Sequence, residues 1–316
     1  MDTTTRERYL GSMIGLAVGD AIGAQVEFML PGGFEPVADM VGGGVFGLPA
    51  GAFTDDTSMA LCLAQSLLEC GRFDPVDQLE RYLRWMREGY MSSIGRAFDV
   101  GGTCADAIMR FEATRQPYCG STNPSRAGNG SIMRLAPVPL YFASDPEMAV
   151  EMSAASSRTT HGARNAVDGC RYLGALIVGA VSGAAKGELV SARYTPAPGL
   201  WERAPLCDAI RRVAEGSFVT KNPPQIRGTG YVVDSLEAAL WAFYRGHSFE
   251  EGLMLAVNLG DDADTTAAVY GQLAGAFYGV SAIPQRFRDR LVMRELIEGL
   301  AEKLYQCASG LPPERS

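Results

Sequence analysis

GSMIGLAVGDAIG, residues 11–23, carries a glycine at every fourth position: 11, 15, 19 and 23. Wound as a helix, this spacing keeps all four near one face, drifting slowly around it. Each glycine costs about 1 kcal/mol relative to alanine inside a helix. Four in one stripe require a compensating gain, and close approach of another helix backbone supplies it. Pro31 stands just beyond as a stop. The device recurs near the other end of the chain, where Gly271, Gly275 and Gly279 follow Asp264, again four apart.

The remaining ordered stretches also read as helices. Residues 56–70 (DTSMALCLAQSLLEC) follow Thr54-Asp55 and end at Gly71, an acidic start and a glycine finish. Residues 75–88 (PVDQLERYLRWMRE) are amphipathic, with proline in the first turn. Helical patterns also span 164–185, 233–245 and 285–306. Loops are expected at Pro31–Gly33, at Gly42–Gly44, and over 115–130, 194–205 and 221–230. Strand-like alternation is scarce, and no tandem repeat or Pro/Ser-rich linker divides the chain. The expectation is an all-α protein with one domain over residues 1–316.

Composition narrows the function. Lys plus Arg is 28 and Asp plus Glu is 36, a formal charge of −8. A negative field does not favour nucleic acid as the main partner, and it suits a protein that must neutralise bound cations. The seven cysteines are scattered with no C-x-x-C, which reads as reduced thiols in a cytoplasmic setting. With only His161 and His247, the spacings of a His/Cys zinc centre are missing. MDTTTRERYL is not a secretory signal. The most apolar run, 173–185, has thirteen residues, short of the ~20 that span a bilayer, so no integral membrane segment is expected.

Two short segments carry the chemistry: Thr54-Asp55-Asp56-Thr57 and Gly260-Asp261-Asp262-Ala263-Asp264-Thr265-Thr266. Each sits before or at the start of an apolar helix. Asp and Thr are favoured helix caps, but a cap needs one oxygen acceptor. Surplus carboxylates at close quarters repel and raise one another's pKa. A divalent cation removes that penalty, and hard ions such as Mg²⁺ or Mn²⁺ take carboxylate and hydroxyl oxygens. Asp262 and Asp264 can converge on one ion at a loop-to-helix junction. Asp55 and Asp56 point apart and can serve two. A two-metal site needs about this many carboxylates.

These residues belong to a wider pattern: GLAVGDAIGAQVEF (15–28), FTDDT (53–57), FDVGGT (98–103), GNGSIMRLAPV (128–138), SRTTHG (157–162), GTGYVVDSLEAALWAF (228–243) and NLGDDADTTAAVYGQLAGAFYG (258–279). In content and order the sequence resembles the ADP-ribosylglycohydrolases, most closely the dinitrogenase reductase-activating glycohydrolase group. The resemblance implies a compact orthogonal multi-helix bundle with two divalent ions, Mg²⁺ or Mn²⁺, in a cleft. By it, Thr54, Asp55, Asp56, Asp262, Asp264 and Thr265 are the metal ligands, and Asp261 lies between motif positions. Asp99 and Glu27 match acidic positions concerned with acid–base chemistry. Gly101, Gly102 and Thr103 follow Asp99, and the related pattern commonly has Asn where Gly102 stands. Asn129, Gly130, Ser131 and Met133 form a candidate substrate loop, whose turn can open a helix and bind an anion through its N–H groups. His161 matches a ribose-side histidine, and Tyr231 is a candidate stacking surface for the adenosine end.

The implied substrate is ADP-ribose on a protein side chain, arginine by the best match, cut at C1 of the distal ribose. A small conjugate such as O-acetyl-ADP-ribose is the alternative substrate. Nucleoside hydrolases also carry aspartate clusters, but they are strand-rich. A non-catalytic ADP-ribose-binding relative would have lost ligands, whereas all six positions are filled here.

Overall fold

Gly11, Gly15 and Gly19 of the first helix lie directly against Gly275, Gly271 and Ala267 of a late one, and Gly23 lies against Ala263 and Asp264. The numbers fall on one helix as they rise on the other, so the two run antiparallel. The fit is reciprocal: a Cβ on Gly271 or Gly275 would be driven into the backbone at Gly15 or Gly11. The glycine stripes thus face each other, and their helical cost is offset by backbone-to-backbone packing. The consequence is positional. The C-terminal end of the first helix and the N-terminal end of the late one are forced to the same place.

The computed structural model describes residues 3–311. In chain order the α-helices are α1 (Thr3–Gly23), α2 (Asp55–Cys70), α3 (Pro75–Glu88), α4 (Gly102–Thr114), α5 (Pro137–Tyr141), α6 (Pro146–Arg158), α7 (Arg164–Val181) and α8 (Lys186–Leu189). They continue as α9 (Leu200–Arg203), α10 (Asp208–Ala214), α11 (Ser217–Thr220), α12 (Val232–Arg245), α13 (Phe249–Val257), α14 (Ala263–Tyr278), α15 (Gln285–Arg290) and α16 (Arg294–Ala308). Among the described residues there is no strand, only three isolated bridges. The all-α expectation holds.

The central α1–α14 pair is buried in the main apolar core together with α7 and α12. Gln272 ties this pair to the segment after the GNGS turn. Its Nε2 donates to the carbonyls of Ile132 (3.0 Å) and Met133 (2.7 Å), and its Oε1 accepts from Ala136 N (2.7 Å). A second core of Met59, Leu79, Tyr82, Trp85, Ile108 and Phe111 joins α2, α3 and α4.

Local signals place most boundaries. Asp74 caps α3 by accepting from Val76 N and Asp77 N, and Gly89 ends it in the left-handed region. Gly71 ends α2 the same way at φ 65°. Four expectations need correction. The loop expected over 194–205 contains the short helix α9 (Leu200–Arg203). The pattern over 164–185 ends as helix at Val181, because Gly183 takes φ +93° and Ala184 N turns back to Gly179 O. The pattern over 285–306 is two helices: Val292 N is diverted to Gly51 O and Met293 takes φ 57°, so the chain breaks between α15 and α16. The GNGS segment opens no helix; residues 130–134 form turns. No helix among the described residues is long and apolar enough to cross a membrane, and all seven cysteines are unpaired.

Candidate active site

Helix α2 starts without a cap from the side chain of Thr54. Asp20 of α1, fully buried, caps it from outside. One carboxylate oxygen accepts from Thr54 N (2.8 Å) and Thr54 Oγ1 (2.9 Å), the other from Thr57 N (2.9 Å) and Thr57 Oγ1 (2.6 Å). Asp20 thus takes the N–H groups of Thr54 and Thr57, and the carboxylates of Asp55 and Asp56 are not the groups that anchor this helix start.

The start of α14 is held by loops. Asp262 N donates to Gly228 O (2.8 Å), and Asn129 Nδ2 donates to Asp262 Oδ2 (3.0 Å). Asp261 is exposed and sits at φ 58°. Its carbonyl accepts from Phe28 N (2.7 Å) and its N–H donates to Met29 O (2.7 Å). This reciprocal pair fastens the segment carrying Glu27 to the aspartate motif, so Asp261 contributes through its backbone.

The two motifs meet. Asp55, Asp262, Asp264 and Thr265 line one cleft of about 260 Å³, together with Glu27 and Asp99. Thr54 and Asp56 lie beneath it, each 0% exposed. Thr54 Oγ1 is 2.9 Å from Asp20 Oδ1, 3.2 Å from Asp56 Oδ2 and 3.2 Å from Asp264 Oδ2. One hydroxyl has one proton, so it can satisfy only one of these three carboxylates. Oxygens of Glu27, Asp99 and Asp264 all fall within 4.8 Å of one another. Asp99 reaches this group from a left-handed backbone, φ 54°, an uncommon conformation for a non-glycine residue.

Seven carboxyls thus share the site: Asp20, Glu27, Asp55, Asp56, Asp99, Asp262 and Asp264. Among the described residues none of them joins an ion pair with Lys or Arg. Glu27 Oε2, Asp56 Oδ1 and Asp264 Oδ1 are buried with no hydrogen-bond partner. Burial, then the charges of Asp99 and Asp262, pushes Glu27 up to about 10. Burial, then Asp20 and Asp262, pushes Asp99 up to about 7. Burial and like charge hold Asp55, Asp56 and Asp264 well above the usual carboxylate range. Burial raises Asp20 and Asp262 too, against the hydrogen bonds they accept. Orphaned, crowded, all-oxygen donors without a cationic side chain fit hard divalent cations.

Most of the candidate substrate residues reach the cleft. Gly101, Gly102 and Thr103 line it at the N-terminal end of α4; Asn129, Gly130, Met133 and His161 line the wall that includes Gly230. Two do not. Ser131 is buried below: Asn129 O accepts from Ile132 N and Met133 N, and the resulting turn swings the Ser131 hydroxyl to Ser157 Oγ (3.0 Å) and Cys170 Sγ (3.4 Å). Tyr231 lies outside the lining, half exposed, with its hydroxyl accepting from Asn165 Nδ2 (2.7 Å). Sequence reasoning missed Asp20, Phe28 and Cys104. Asp20 had a signal, a lone charge inside an otherwise apolar, glycine-striped helix.

The ADP-ribosylglycohydrolase family model matches residues 1–313. The ADP-ribosylarginine hydrolase Tri1 of Serratia proteamaculans (strain 568) is 40% identical over 307 residues, covering 97% of this chain and 81% of that protein. The ADP-ribosyl-[dinitrogen reductase] glycohydrolase of Rhodospirillum rubrum is 33% identical over 298 residues, 92% of each chain. A solved structure described as an ADP-ribosylglycohydrolase-related protein complex is similar with a TM-score of 0.84 at 47% identity, over 96% of this chain and 99% of that one. With its glycine-locked helix pair and converging aspartate motifs, the chain belongs to the ADP-ribosylglycohydrolase family.

Proposed function

We propose that this enzyme removes ADP-ribose from a modified arginine side chain by hydrolysing the bond between C1 of the distal ribose and the guanidine nitrogen. The observation that carries the reading is the meeting of Asp55 of α2 with Asp262, just before α14, and Asp264, in its first turn, in one cleft, with Glu27 and Asp99 facing the same space. The choice of arginine rests on the relatives named as ADP-ribosylarginine hydrolases, at 40% and 42% identity.

Thr54, Asp55, Asp56, Asp262, Asp264 and Thr265 would hold two divalent cations, Mg²⁺ or Mn²⁺. When bound, these ions neutralise the crowded carboxylates and supply a Lewis-acid centre for ribose hydroxyls and water. The chain's own groups handle the protons. Cleavage builds positive charge at C1, and the surrounding carboxylates favour that charge. A guanidine leaves poorly unless it gains a proton. Oxygens of Glu27, Asp99 and Asp264 lie within 4.8 Å of one another, and burial with neighbouring carboxylates favours a proton on one carboxyl of the Glu27–Asp99 pair, on Glu27 more than on Asp99. That carboxyl can protonate the leaving nitrogen while its neighbour accepts a proton from the attacking water. The products balance as ADP-ribose with a C1 hydroxyl and an unmodified arginine. Asn129, Gly130, Met133 and His161 form the wall against which the nucleotide part would lie.

The test is incubation with ADP-ribosylated arginine protein and Mn²⁺, repeated after chelation. Parallel arms use serine-linked ADP-ribose and O-acetyl-ADP-ribose. Loss of arginine-linked cleavage on chelation supports the reading. Metal-independent turnover, or turnover of the other conjugates alone, contradicts it.

A further inference from the structure

Arg134 is a fully buried guanidinium with no carboxylate partner among the described residues. Its Nη1 donates to Gly130 O (2.7 Å), its Nη2 donates to Thr160 Oγ1 (2.6 Å), and it stacks 4.7 Å over the Tyr82 ring. Both acceptors adjoin the cleft wall. Thr160 Oγ1 also lies 2.8 Å from His161 Nδ1. The other ring nitrogen, Nε2, meets no partner among the described residues, and the ring lines the cleft.

The proton on Thr160 decides what His161 can do. A guanidinium only donates, so Thr160 oxygen must accept from Arg134 and its single proton is free for another acceptor. Two acceptors are near: His161 Nδ1 and the thiol of Cys104, which also interacts with the Thr160 side chain. A neutral imidazole nitrogen is a full acceptor, whereas thiol sulfur is a weak one. The proton therefore points to Nδ1, and the ring carries its own hydrogen on the opposite nitrogen.

We infer that Arg134, acting through Thr160, is a positioning residue that fixes His161 as its Nε2–H tautomer and aims a hydrogen-bond donor into the cleft. The occupant it suits is an acceptor oxygen, a phosphate or ribose oxygen of the nucleotide. That second half rests on the proposed function; the tautomer does not. Burial and the positive charges of Arg134 and Arg126 push His161 down to about 3, so the ring is neutral at physiological pH. Gly130 leaves room for the ring: a Cβ there would sit 2.9 Å from His161 Cε1 and 3.0 Å from Cys104 Sγ.

The chain has two histidines, so the test reads directly. In ¹⁵N-histidine-labelled protein in Mg²⁺ buffer, long-range ¹H–¹⁵N spectra report each ring's tautomer. His247→Gln, at an exposed position, assigns the signals. The expected result is a single neutral Nε2–H form for His161, whose Nε2 signal shifts when ADP-ribose is titrated in. Thr160→Val should mix the tautomers and weaken ADP-ribose binding about five- to tenfold, the worth of one hydrogen bond, and Thr160→Ser should restore both. A wild-type ring protonated at Nδ1 overturns the relay, even if the variants fail to fold. Equal defects in Thr160→Ser and Thr160→Val would assign Thr160 a packing role and also overturn it. A correct tautomer with no response to ADP-ribose overturns the substrate half alone, and absence of arginine-linked cleavage leaves the tautomer result standing.

Discussion

Thr54 Oγ1 lies 3.2 Å from Asp264 Oδ2, although 210 positions separate them in the chain. The contact exists because antiparallel α1 and α14 set Asp20 within about one helical turn of the level of Asp264, and Asp20 then holds the start of α2 against them. The carboxylates on either side should therefore fail together. Asp55→Ala and Asp262→Ala are each expected to lower turnover by more than about a hundredfold, beyond the loss typical of an outer partner to a metal site. The helical circular-dichroism signal should be retained. Normal turnover in both variants would remove these residues from the chemistry.

Asp264→Asn separates stability from function. Asp264 is buried among Glu27, Asp56 and Asp262, with one oxygen unpartnered. The amide removes a repulsive charge, so the chelated variant should melt above the chelated parent, while the rise in Tm on adding Mn²⁺ should shrink or vanish. A variant that is less stable without metal and still gains the parent's full metal increment would contradict a ligand role for this residue.

The same crowding gives the metal-free protein a pH dependence with a definite sign. Glu27 is pushed up to about 10 and Asp99 up to about 7. The folded chain then binds protons that the unfolded chain releases, and stability falls with rising pH wherever the folded state holds more. It is full below the ordinary carboxylate range and declines as pH rises from there, to about 7 for Asp99 and to about 10 for Glu27. Divalent cations compete with those protons, so their stabilising effect should grow over the same range. Thermal melts of chelated and Mg²⁺-loaded protein across pH check this. Parallel, flat curves would show that the cluster neither titrates nor binds as described.

What could be read from sequence was whatever is periodic or contiguous. The four-residue glycine steps implied a backbone partner, and the structure supplies Gly271 and Gly275 for Gly15 and Gly11. Two aspartate motifs implied convergence, and Asp55, Asp262 and Asp264 line one cleft. What depends on side-chain direction was not legible. Ser131 sits inside the right motif, but one turn of backbone aims it at Ser157 and Cys170. Tyr231 follows Gly230, which lines the cleft, yet its ring turns to Asn165. The break between α15 and α16 depends on Gly51, 241 residues before Val292, a tertiary contact invisible to local pattern.

Gly15→Ala and Gly271→Ala test the helix lock. A methyl at either place meets opposing backbone, which cannot rotate away. Overpacking of this kind costs roughly 1–3 kcal/mol, partly offset by alanine's better helix propensity of about 1 kcal/mol. Net destabilisation is expected in denaturant melts, with weaker metal binding because spreading the pair separates Asp20 from Asp264. Gly299→Ala is the control, since a Cβ there meets open space within α16. It should be neutral or slightly stabilising. Equal effects at Gly15 and Gly299 would show that backbone contact does not hold the central pair together.

Asp20 offers the sharpest separation of positioning from ligation. All of its acceptor capacity is directed at Thr54 and Thr57, so it anchors the motif without facing the cleft. Asp20→Asn keeps the size but replaces one acceptor oxygen with an NH₂ group, which cannot accept from Thr57 N or Thr54 N. Loss of a cap of this kind costs about 1–2 kcal/mol, and removing a buried like charge returns part of it. Stability should therefore change little, while metal affinity falls because α2 no longer presents Asp55 and Asp56 at the right level. Raising Mn²⁺ should recover turnover in Asp20→Asn and not in Asp55→Ala. If excess metal rescues neither variant, Asp20 acts on more than the placement of α2; if it rescues both, Asp55 is not a ligand.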